Sequence, residues 1–155
     1  MALRKIRKVG DDILLKVSKP VHEVDDKIRQ LLDDMLETMY DVGGAGLAAV
    51  QVGVLRRVAV IDTSEERNCP IELVNPSIIS NEGCQEDWEG CLSILGQSGL
   101  VERPMATVVQ ALDRHGCQVE HRFEGRAAVC ANHELDHLDG ILYTTKAIEI
   151  QYNED

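Results

Sequence analysis

The stretch His133-Glu134-Leu135-Asp136-His137 constrains this 155-residue chain more than any other. On an α-helix, residues four apart lie on one face, so His133 and His137 can grip a single ion there. Glu134 sits one step around the helix, near enough to serve a water on that ion without being a ligand. Apolar residues recur at helical spacing over 125–138, and Gly140 follows as the expected C-terminal stop. An amphipathic helix with two ordinary histidines would show the same five letters. An open catalytic metal site needs a third protein ligand.

Downstream, little is available. Metalloproteases of the metzincin kind continue the pattern to a further glycine and histidine. Here Gly140 fits, but Tyr143 stands at the histidine position. Glu149 and Glu154 are the acidic candidates in the short tail, which leaves little room for a second helix to present either. The third ligand is therefore expected upstream. Residues 89–93 read Glu-Gly-Cys-Leu-Ser, among turn residues between strand-like regions. Cys91 offers a thiolate, and two histidines, one cysteine and a water make a legitimate open site. Cys69, Cys84, Cys117 and Cys130 read as small buried hydrophobes. Residues 44–51, Gly-Ala-Gly-Leu-Ala-Ala-Val-Gln, allow close backbone approach at the two glycines. They lack the third glycine of a dinucleotide fingerprint. Gln51 could donate a hydrogen bond, although such a stretch taken alone is more often a tight turn.

The remaining periodicities place these stretches in a fold. Ile28, Leu31, Leu32, Met35, Leu36 and Met39 predict a helix over 25–41, with Asp25 as N-cap and Gly43-Gly44 as the stop. Residues 57–62 and 71–79 are strand-like, and Pro76 pushes the second towards a sheet edge or a strand end. Residues 107–112 and 117–123 form a hairpin around Asp-Arg-His-Gly, with Cys117, Val119, His121 and Phe123 on one face. The order helix, strands, helix is α+β: mostly antiparallel sheet closed by helices. The expected organisation is one domain over 1–155. Aromatics are only 3% of the residues, so the core must come from Val, Ile, Leu, Met and Ala. A net charge of −11 argues against nucleic-acid binding, which needs a basic footprint. No window approaches the roughly 20 apolar residues of a membrane helix. Five cysteines without an export signal point to reduced thiols in a cytoplasm.

Three stretches together resemble the peptide deformylases, whose motifs are G-x-G-L-A-A-x-Q, E-G-C-L-S and Q-H-E-x-D-H-L-x-G. This chain carries GAGLAAVQ, EGCLS and NHELDHLDG in that order. Flanking stretches match as well, including ILLKVSKPV, QVGVLRRVAVID, LVNPSI and SGLVERP. The resemblance implies antiparallel sheets packed around a central helix that bears the histidines, with a further helix towards the N-terminus. It implies one divalent metal on Cys91, His133 and His137: Fe(2+) in the cell, with Zn(2+) or Ni(2+) able to replace it. The implied reaction is hydrolysis of the N-formyl group from the initiator methionine of new polypeptides.

By the same resemblance Glu134 moves the proton. Gln51 and the Leu92 backbone N–H meet the oxyanion. Gly44, Gly46, Gly90, Val129 and Cys130 face the substrate, and Gly46 leaves room for its backbone. Glu89 and Arg103 brace the cysteine loop, and Asn132 stands where glutamine is usual. The implied partner is a formylmethionyl nascent chain, at or near the ribosome, met by a cytoplasmic monomer. Besides Asn132, the chain departs from the pattern at Leu15, Leu95 and Arg126, the last where an apolar residue often lines the methionine pocket. These departures admit an alternative, a divergent relative that binds N-terminal peptides with weak or altered activity.

Overall fold

The structure is a computed structural model that describes residues 2–153. Its first long element is helix α1, Asp26–Asp41. The Asp25 side chain accepts from the Ile28 N–H at 3.1 Å and closes the first turn. Gly43, with φ +70°, ends the helix in a backbone region that favours glycine. Five strands follow: β1 (Gly46–Ala48), β2 (Val58–Ile61), β3 (Ile71–Glu82), β4 (Gln85–Cys91) and β5 (Ile94–Arg103). The predicted hairpin is β6 (Ala106–Leu112) and β7 (Gln118–Glu124). Helix α2 spans Arg126–Leu138, and β8 spans Glu149–Tyr152. This is the expected α+β architecture: a five-stranded sheet ordered β1-β2-β3-β6-β7 and a three-stranded sheet ordered β4-β5-β8. Their paired strands are antiparallel.

The larger sheet separates the two helices. Strand β2 is buried on both faces, which is why it reads as a continuous apolar run. Its Val58 and Val60 point into the cluster that holds Leu31, Leu32, Met35 and Met39 of α1. Its Ile61 points the other way, to Ala128, Ala131 and Leu135 of α2. The period-2 alternation carries across the pairing. Gly46 pairs with Ile61 and so lies on the α2 side, whereas Leu47 pairs with Val60 and joins the α1 cluster. The core is aliphatic as expected, with Phe123 and Tyr143 as buried rings.

Two expectations are corrected here. Strand β3 is neither an edge nor ended by Pro76, because it runs on to Glu82 between β2 and β6. Pro76 falls where the register to β6 shifts, between Val74 and Ser77, so its missing N–H interrupts no ladder bond. Asn75 covers the break: its amide accepts from the Val21 N–H at 2.8 Å and donates to the Val21 carbonyl at 2.7 Å. Cys117 is exposed and precedes β7, so it does not share the buried face of the hairpin.

Candidate metal centre

Helix α2 turns its polar residues inward. His133, Glu134 and His137 are 9%, 4% and 1% exposed, so the motif lies inside the protein and not on a solvated face. The last residue of β4 brings Cys91 beside them, with Sγ 3.3 Å from His137 Nε2. The three ligand atoms of Cys91, His133 and His137 all lie within 4.8 Å of one another. A thiolate and two imidazoles at such spacing fit a borderline divalent metal. Burial, foremost, lowers the His137 pKa to about 3, which keeps the ring neutral as metal binding requires.

A buried carboxylate orients the other ring. Glu89 lies two residues before Cys91 on the same strand, and its Oε1 is 2.8 Å from His133 Nδ1. Burial opposes charge on Glu89, but hydrogen bonds from Arg103 and His133 outweigh it and hold the carboxyl below its ordinary range. The ionised group can only accept, so Nδ1 donates and Nε2 is left to the metal. Burial opposes charge on this ring, but Glu134, Cys91 and Glu89 outweigh it and raise its pKa to about 10, so a metal would have to displace the Nε2 proton. Arg103 reaches Glu89 through Nε at 2.7 Å and Nη2 at 2.9 Å, and Asp136 of the motif through Nη1 at 2.7 Å. One guanidinium thus ties β4, β5 and α2 together around the centre.

Gln51 sits in a 3₁₀ turn, Ala49–Val52, directly after β1. Its Oε1 accepts from the Ala48 N–H at 2.9 Å, which settles which end of the amide faces the site. Its Nε2 donates to Ser93 Oγ at 3.1 Å and points to Cys91 Sγ at 3.6 Å. A cleft of about 320 Å³ opens beside these groups, and Gly44, Gly46, Gly90, Leu92, Val129 and Cys130 all line it. Glu134 faces the same cleft. Burial pushes its carboxyl up to about 7, and among the described residues its Oε1 has no hydrogen-bond partner.

Gly46 also leaves room for Glu134. A Cβ there would lie 2.5 Å from Glu134 Oε2 and 2.9 Å from Cys130 Sγ, so the carboxylate itself uses the space. Gly46→Ala should therefore displace Glu134. We expect kcat/KM to fall about 10- to 100-fold, the scale of a misplacement near 1 Å, with metal content unchanged. Steady-state kinetics and metal analysis on one sample check this.

The departures from the family pattern separate in space. Asn132 points away from the metal ligands, donating to Thr107 Oγ1 at 2.9 Å and to the Ala128 carbonyl at 2.8 Å. The NH2 of the shorter amide makes both contacts and links α2 to β6. Leu15 and Leu95 are exposed at 63% and 69%. Arg126 lies at the cleft, with its guanidinium turned to Asp87 at 3.2 Å. Glu149 lies on β8 outside the ligand group, and Glu154 lies outside the described residues. Cys69 and Cys84 are exposed like Cys117, which corrects the reading of these three as buried hydrophobes. Ser93 and Asp136 went unremarked in the sequence although both stand inside its motifs.

The family model for polypeptide deformylase matches residues 3–153. A peptide deformylase from Lachnoclostridium phytofermentans is 57% identical over 146 residues, covering 94% of this chain and 90% of that protein. The crystal structure of a peptide deformylase from Legionella pneumophila superposes with a TM-score of 0.90 at 43% identity, covering 94% of this chain and 86% of that one. The Thermotoga maritima enzyme superposes with a TM-score of 0.91 at 35% identity, covering 96% and 100%.

Proposed function

This chain belongs to the polypeptide deformylase family, and on that premise we propose how its residues divide the work of removing the N-formyl group from new polypeptides. It is a metallohydrolase acting on N-terminal formylmethionine. Water adds to the formyl carbon, the formamide C–N bond breaks, and formate and a free amine leave. The observation that carries the reading is the meeting of Cys91, His133 and His137 beside the buried Glu134 at the wall of one cleft.

When bound, a divalent metal supplies Lewis acidity that activates water and polarises the formyl oxygen. Cys91, His133 and His137 hold it. The Glu89 carboxylate fixes the His133 tautomer, and Arg103 keeps Glu89 charged. A carboxyl near pKa 7 both takes and returns a proton close to neutrality. Glu134 therefore removes the water's proton and delivers it to the leaving nitrogen. The Gln51 amide and the Leu92 backbone N–H meet the charge that develops on oxygen. Gly44, Gly46, Gly90, Val129 and Cys130 face the substrate, with Gly46 beside its backbone and Val129 and Cys130 along the methionine side chain.

The metal in the cell is Fe(2+), with Zn(2+) or Ni(2+) able to occupy the same mixed sulfur and nitrogen site. The substrate is a nascent formylmethionyl chain met at or near the ribosome, and the enzyme acts as a cytoplasmic monomer. Among the described residues, no helix is long and apolar enough to cross a membrane.

The expected result is formate release from a formyl-Met peptide, abolished by a strong chelator and restored by Fe(2+) under anaerobic conditions. Stoichiometric metal without formate would overturn the reading in favour of a peptide-binding relative. Cleavage of an unblocked peptide bond would overturn it in favour of a peptidase.

A further inference from the structure

The loop after β2 uses a set of polar contacts that the reaction leaves unexplained. Asp62 is fully buried. Its carboxylate accepts from the Tyr40 hydroxyl at 2.6 Å, from the Ser64 N–H at 2.9 Å and from the Cys69 N–H at 3.1 Å. The Ser64 hydroxyl donates to it as well. Drawn around this carboxylate, the loop turns back on itself. Arg67 then takes φ +57°, a left-handed conformation uncommon for a side chain of its size. Such a conformation persists where the surroundings over-determine it.

Those surroundings aim the guanidinium at the cleft wall. Arg67 Nη1 donates to the Asp62 carbonyl at 2.8 Å, and Nη2 donates to the Gly44 carbonyl. The group lies 5.4 Å from the centre of the Tyr40 ring. Gly44 begins the wall, and the Asp62 N–H holds the next carbonyl, Ala45, at 2.8 Å. The other side of the wall has little clearance. A Cβ on Gly44 would sit 2.8 Å from Leu92 Cδ1, and one on Gly46 would meet Glu134. Leu92 and Glu134 thus hem the wall in on the cleft side, while Arg67 and Asp62 hold it from behind.

We propose that Arg67 is a positioning residue: braced by Asp62 and Tyr40, its guanidinium sets the Gly44–Gly46 wall against which the formylmethionyl residue binds. The assignment rests on the deformylase reading. Arginine suits the task because a planar fork can serve two carbonyls and stack on a ring, which a lysine ammonium cannot.

The test compares wild type with Arg67→Ala, Arg67→Lys and Tyr40→Phe. In Arg67→Ala, KM for a formyl-Met peptide should rise about tenfold while kcat stays within about threefold, the scale of losing one charge-assisted hydrogen bond. Arg67→Lys should recover little of this. Millimolar guanidinium ion should return the KM of Arg67→Ala most of the way to wild type, which a merely structural loss would not allow. Tyr40→Phe keeps the ring and removes one brace on Asp62, so it should raise KM about two- to threefold even if Arg67→Ala folds poorly.

A second readout needs no chemistry. Isothermal titration calorimetry gives Kd for the deformylated methionyl peptide. That Kd should weaken about tenfold in Arg67→Ala, in step with KM. Absence of formate from wild type would refute the reaction, whereas the Arg67 assignment falls if Kd and KM are unchanged in both Arg67→Ala and Tyr40→Phe.

Discussion

Glu134→Gln should hold metal like the wild type and release formate about 10³-fold more slowly, within the 10²- to 10⁴-fold range of a positioned acid–base group. Glutamine keeps the volume that fills the space beside Gly46, so the cleft wall need not move. It cannot take a proton from water near neutrality, nor return one to the departing nitrogen. The buried site makes the substitution clean. Glu134 is 4% exposed and, among the described residues, its Oε1 has no hydrogen-bond partner, so no hydrogen bond at that oxygen is broken. The measurement is kcat with Fe(2+) loaded anaerobically, beside metal content on the same sample. Undiminished turnover with metal retained would remove Glu134 from the mechanism.

Cys91→Ala should lose both metal and activity. Removing a group that merely supports a metal ligand typically weakens binding 10- to 100-fold, so loss of a ligand itself should exceed about 100-fold. The two histidines remain on α2, but a pair of imidazoles four residues apart leaves the metal without its thiolate. Dialysed Cys91→Ala should carry little metal, and formate should fall to background. The fold should survive, because Cys91 ends β4 at partial burial and only pads the cluster of Ile94, Val101 and Tyr143. Far-UV dichroism checks that point. Full activity in this variant would refute the proposed ligand set.

Much of the fold was legible because its signals are local. Helix α1 shows its period and its cap within 17 residues, Asp25 to Asp41, and the β6–β7 hairpin shows both its alternation and its turn. Strands β4 and β5 were harder to read. The one fully buried residue of β4 is Glu89, a charged side chain where strand patterning looks for an apolar one. Its burial is tolerable only because Arg103 and His133 satisfy it, and both lie far away in sequence. Strand β8 is exposed along its whole length and carries no pattern to detect. Pro76 misled for a related reason. Proline is excluded from an interior ladder, but not from a bulge whose gap is closed by Asn75 and Val21.

By itself the sequence determined that His133 and His137 share a helix face with Glu134 beside them, since that follows from helical geometry alone. It also limited the third ligand to a few residues, and the resemblance singled out Cys91. Only the tertiary structure decided what surrounds them. It placed the Cys91 sulfur 3.3 Å from His137, and set Glu89 and Arg103 behind His133. It also showed that Gly46 clears space for Glu134, and that Arg67 braces the Gly44–Gly46 wall from the far side. Periodicity encodes which face of its own element a residue occupies. Which elements meet is decided by how the whole chain buries its apolar faces while buried charges such as Glu89 and Arg103 find partners.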